Sequence, residues 1–178
     1  MSEATRAWVA DVVRSALWSD EEVRAQVVAA IRADHPALSA DATADAWISE
    51  SRAAWSDEAA RWPEVTDHDR LVEAFASLER AGIVVLQGVA HHWVARDELE
   101  RRTPRPAGVA WFTPTDVWHA IDDGMLEVNL WHGTTANAAP GDELLDRALD
   151  AFRAAGLRAR FDEGRIEVSA RWQCRPPG

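Results

Sequence analysis

Histidine stands beside tryptophan three times in this chain: "HHW" at residues 91–93, Trp118-His119 in "DVWHAI" and Trp131-His132 in "NLWHG". Imidazole gains and loses its proton near neutrality and is a common ligand for zinc and similar ions. Asp116 lies three residues before His119 and Asp123 four residues after it, which is one face of a helix. His91, His92, Asp116, His119 and His132 are therefore the residues that can assemble a metal site or an acid–base pair, provided the fold brings them to one rim. A third strand parallel to the first two would do so. The spacing itself argues for dispersal. Neighbours in an extended segment point to opposite sides, so His91 and His92 do not ligate together without a turn. No spaced ligand pair anchors a metal motif, and D-x-x-H occurs once. The expectation is no bound metal and no cofactor, with each histidine held by its own local partner. His132 in particular shares the parity of Leu126, Val128 and Leu130 and should be at least half buried against a fixed partner.

Several chemistries are excluded outright. The chain has no lysine, hence no Schiff base, no pyridoxal anchor and no phosphate-binding Gly-Lys-Ser/Thr loop. It has no tyrosine, so no mechanism can rest on a phenol. One cysteine, Cys174, excludes an internal disulfide and fits a reducing cytoplasm; in its Arg/Pro tail it reads as a flexible thiol. The net charge of −11 repels phosphate backbones, so nucleic acid is not an expected partner. No run is apolar enough for a membrane span, and the first residues lack the basic start and apolar stretch of a signal peptide.

Ten tryptophans are unusual for 178 residues. Burying one indole removes about 200 Å² from water, so the core is the default place for most of them. Trp131 breaks the rule, because it shares the polar parity of Glu127 and Asn129. With Arg158, Arg160, Arg165 and Arg171 it forms a candidate protein interface, since Trp and Arg are common hot-spot residues. Trp93, in a loop, is expected to fold back over apolar surface.

These side chains must be positioned by an α/β (α+β) fold. Residues 1–61 read as an N-terminal helical segment and 62–178 as a mixed α/β domain. Apolar residues recur at helical spacing in "WVADVV", after Ser19 with its capping partner Glu22, and from Ser39 to Trp55. Thr66 caps a fourth helix that Gly82 ends. "IVVLQGV" (83–89) and "VAWF" (109–112) are apolar on both parities, so they should pair and be buried on both faces, with 83–89 central in the sheet. "RDELERR" makes a short helix, "PTDVWHAIDDG" another, "MLEVNLWH" a strand, and the residues after Pro140 a long helix. "LRARF" and "RIEVSARW" around "DEG" make a hairpin near one edge, arginines outward. Five strands interleaved with helices give a mixed five-stranded sheet with helices packed on it.

"WPEVTDHDRLVEAFASLERAGIVVLQ", "GVAWFTPTDVWHAI" and "LEVNLWHG" together resemble an uncharacterised bacterial domain family of unknown function, over roughly residues 62–172. The resemblance implies a fold and no activity. Many members of that family carry a Cys-Cys-x-x-Cys loop after the first strand and a histidine at the end of the second. On this chain the cysteine positions fall on His91, His92 and Ala95, the histidine on Thr113, and a following aspartate on Asp116. The chain departs from most of that ligand set. The functional expectation is a small acidic cytoplasmic binding or accessory protein acting through protein–protein contacts. The alternative is a metal- or histidine-dependent enzyme at the strand ends.

Overall fold

The computed structural model describes residues 2–177. The chain divides into two units, residues 1–64 with 173–178, and residues 65–172. In the first, α1 (Ser2–Ser15), α2 (Asp20–Asp34) and α3 (Ala40–Ala59) pack pairwise. Each contributes an apolar stripe at 3.6-residue spacing: Val9, Val12 and Val13; Val23, Val27 and Ile31; Ala44, Ile48 and Trp55. Ser19 and Glu22 form the predicted capping box of α2. The C-terminal tail is not the free segment its composition suggested. Trp55 Nε1 donates to the Cys174 carbonyl at 2.9 Å, and the Arg175 guanidinium donates to the carbonyls of Ala59, Pro63 and Glu64. The carbonyl of Ala59, last residue of α3, and those of the turn after it thereby gain partners; the tail groups with the helices, and Cys174 is half buried.

The second unit runs α4 (Asp67–Arg80), β1 (Ile83–Leu86), α5 (His92–Arg101), β2 (Gly108–Trp111), α6 (Pro114–Asp122), β3 (Met125–His132), α7 (Glu143–Ala154), β4 (Arg158–Asp162) and β5 (Arg165–Ser169). The five strands form one mixed sheet in the order β1-β2-β3-β5-β4; β1 and β2 are parallel and the other neighbours antiparallel. The α+β class is as read from the sequence. The central placement of the first strand is not: β1 is an edge strand. Its apolar residues on both parities reflect helices on both faces, and face burial says nothing about which lateral edge is paired.

One face carries Ile83, Ala110, Leu126, Val128, Leu130, Ile166 and Val168 under α4 and α7. Phe75 stacks on Phe112 at 5.6 Å and meets Phe152 edge-on at 6.2 Å, joining both helices to the sheet. On the opposite face α5 seats Ala95 and Leu99 against Val84, Val109 and Trp111, with Leu86, Val89 and Trp131 packed around them. The β3–β5–β4 half of that face carries charge instead: Arg165 pairs with Glu127, and Arg160 with Glu167 and Asp162. β4 and β5 form the predicted hairpin. Glu163 (φ 43) and Gly164 (φ 89) supply the two left-handed residues that a tight two-residue turn needs. Among the described residues no helix is long and apolar enough to cross a membrane.

Candidate functional site

The side chains with the most chemical capacity gather where α6 meets β3. Thr113, two residues beyond β2, is extended and caps α6, while Pro114 occupies the first turn, where its missing N–H costs nothing. The Thr113 amide and hydroxyl both donate to Asp116 Oδ2, each at 2.7 Å, and the Asp116 amide returns a bond to Thr113 Oγ1 at 3.4 Å. This capping box fixes the Asp116 carboxylate in a place only 5% exposed. His119 lies one turn on, at the surface. Gly124, at φ +73, then turns the chain so that β3 runs back beneath α6. Glu127, third residue of β3, comes up beside the helix. One ligand atom each of Asp116, His119 and Glu127 lies within 4.8 Å of the other two.

Glu127 was not a sequence candidate. It reads as an outward residue of a half-exposed strand, and only the antiparallel return of β3 under α6 sets it against the D-x-x-H pair. Its Oε2 accepts from Arg165 Nη1 of the neighbouring strand.

The remaining histidines do not join them. β3 is antiparallel to β2, so His132 pairs with Gly108 at the start of β2, the end away from Thr113. The five-residue pocket His91, His92, Asp116, His119 and His132 therefore does not form. His132 is half buried, as its parity required, and its Nε2 lies 2.8 Å from Asp142 Oδ2 at the N-cap of α7. That imidazole, with the Ala139 amide, holds the Asp142 carboxyl below its usual range. His91 is the N-cap residue of α5 and His92 its first residue, both exposed. His68 packs edge-on to Trp172 at 4.8 Å, and burial pushes its pKa below the ordinary 6.5, against a smaller opposing pull from Asp69.

The predicted interface is also redistributed. Trp131 stands edge-on to Trp111 at 5.3 Å in the cluster that α5 covers, apart from the charged half of the face. Arg158, Arg160 and Arg165 do share one face of the β4–β5 hairpin, but Arg160 and Arg165 are engaged by carboxylates. Arg171, beyond β5, lies against Gly124, and its amide donates to Asp67.

Among the described residues the exposed tryptophan is Trp93. Where the sequence suggested it would fold back over apolar surface, α5 begins at His92 and turns it outward, 52% exposed, beside Val94 at 37%. The inner positions of a ten-residue helix go to Ala95 and Leu99, and their phase leaves Trp93 and Val94 on the far side. The His92 ring lies 4.5 Å from the indole, and the Arg96 guanidinium 5.7 Å from its centroid.

The family model described as "Domain of unknown function (DUF6891)" matches residues 1–176. The chain belongs to that family. The match takes in the N-terminal helices as well as the sheet unit, and so extends beyond the 62–172 segment that carried the resemblance. DUF6891 is defined without an activity, and neither the curated proteins nor the solved structures contain a match.

Proposed function

We propose that the protein is a cytoplasmic binding module acting through protein–protein contacts, with the outer face of α5 as its contact surface. The observation that carries this reading is Trp93, half exposed on a helix whose opposite side is fastened to the sheet by Ala95 and Leu99. A rigidly presented indole meets a partner without first being ordered, and Trp with Arg dominates binding energy at protein interfaces. Arg96 stacks on the indole and pairs with Glu100, while Glu98 pairs with Arg101 and Arg102, so the charges flanking the aromatic are locally neutralised. Such a surface suits a partner offering an apolar pocket with a polar rim. The net charge of −11 favours solubility and disfavours nucleic acid.

The test is site-specific photo-crosslinking in cells that produce the protein, with the crosslinker at position 93 and, as a control, at exposed Glu73 of α4. A discrete adduct at 93 alone, abolished by Arg96→Glu, is the expected result. Equal or absent crosslinking at both positions refutes the α5 surface. The histidine-dependent enzyme reading retains two of its five residues, Asp116 and His119, because the other three lie elsewhere.

A further inference from the structure

We propose that Asp116, His119 and Glu127 form a binding site for one divalent transition-metal ion of the zinc class. The donor set is one imidazole and two carboxylates, a combination suited to zinc and its neighbours and poorly matched to calcium or magnesium, which prefer oxygen alone. Ligands at about 2.0–2.2 Å from a tetrahedral ion stand roughly 3.4 Å from one another. The three donor atoms here lie within 4.8 Å of each other, so side-chain adjustment of about an ångström closes the shell.

The surroundings of each donor favour a cation. Asp116 is held through Oδ2 by both Thr113 donors, and Glu127 through Oε2 by Arg165. Each carboxylate is thus oriented through one oxygen while the other makes no hydrogen bond among the described residues, as outer groups orient the carboxylate ligands of metal centres. The His119 imidazole makes no hydrogen bond or ion pair among the described residues, although two carboxylates flank it. Those carboxylates come from different elements, one nearly fully buried, and Arg165 offsets the charge of Glu127 through its ion pair. A bound dication removes the remaining repulsion. His119 lies at the surface, which provides the entry path and leaves coordination positions open to water. The sequence offered only D-x-x-H; the third donor makes the site.

The experiment is calorimetric titration of zinc chloride into the full-length, tag-free protein after chelator treatment. One saturable equivalent is expected, weakened about tenfold or more by His119→Ala and by Glu127→Gln, and unchanged by His132→Ala or by His91→Ala with His92→Ala. His119 is exposed and Glu127→Gln keeps an acceptor for Arg165, so both variants should fold; circular dichroism melts check this. Absence of a saturable equivalent overturns the proposal. So does an equivalent that survives His119→Ala or is lost with His91 and His92.

Discussion

Replacing Leu99 by alanine removes the one large side chain that α5 buries. Leu99 is fully buried, and the other buried residue of the helix is Ala95, which has little left to lose. Deleting a buried leucine side chain to its Cβ costs about 3 kcal/mol, within a range of 2–5 set by how far the site collapses. A ten-residue helix has no independent stability in water, so that loss should fall first on the docking of α5. Central strands β3 and β5 are held by their own ladder and by the face under α4 and α7. At about 1.4 kcal/mol per tenfold, opening of α5 becomes roughly a hundredfold more frequent. Native-state hydrogen exchange reads this directly: amides of α5 should lose about two orders of magnitude of protection while those of β3 and β5 keep theirs. Crosslinking from position 93 should fall in parallel. Uniform loss of protection across the sheet, or unchanged exchange in α5, refutes the view of α5 as a separately anchored platform.

Two further outcomes follow from the same structure. His68 has its folded pKa lowered by burial, so between that value and the ordinary 6.5 the unfolded chain binds the proton and the folded chain does not. Its contribution to stability is therefore complete above about pH 6.5 and is lost as pH falls through that window; urea midpoints from pH 7.5 to 5.5 should decline, and decline less in His68→Gln. At Gly108 a Cβ would stand 2.5 Å from the Trp131 carbonyl oxygen and 3.0 Å from Leu144 Cδ2, so Gly108→Ala should destabilise by about 1–3 kcal/mol, read as a lowered melting temperature. An unchanged melting temperature would mean that β2 and β3 are less tightly apposed than described.

Local pattern was legible wherever one element settles the matter. Thr66 and the Ser19–Glu22 pair announce helix starts, and a capping box forms at each, with Asp69 as the partner of Thr66. The alternation from Met125 to His132 gives β3 its bounds and puts His132 on the core side. Arg158, Arg160 and Arg165 share an outward face because strand parity leaves them no other. The start of α5 was less legible. "HHW" has no capping residue with a bonding side chain, and His91 serves as N-cap without a side-chain bond, so a helix at this point reads as a loop.

What sequence alone determined, then, is which residues are helical, which extended, and which side of its own element each side chain takes, because capping and periodicity are short-range effects. Tertiary structure alone decided the direction of β3, the edge position of β1 and the meeting of Glu127 with Asp116 and His119. Apolar parity is identical for a parallel and an antiparallel neighbour, and for a central and an edge strand covered on both faces. The choice between them lies in pairing across dozens of residues, which no local pattern encodes. His132 and Glu127 sit five residues apart on one strand; its direction alone sends the first to Asp142 and the second to α6.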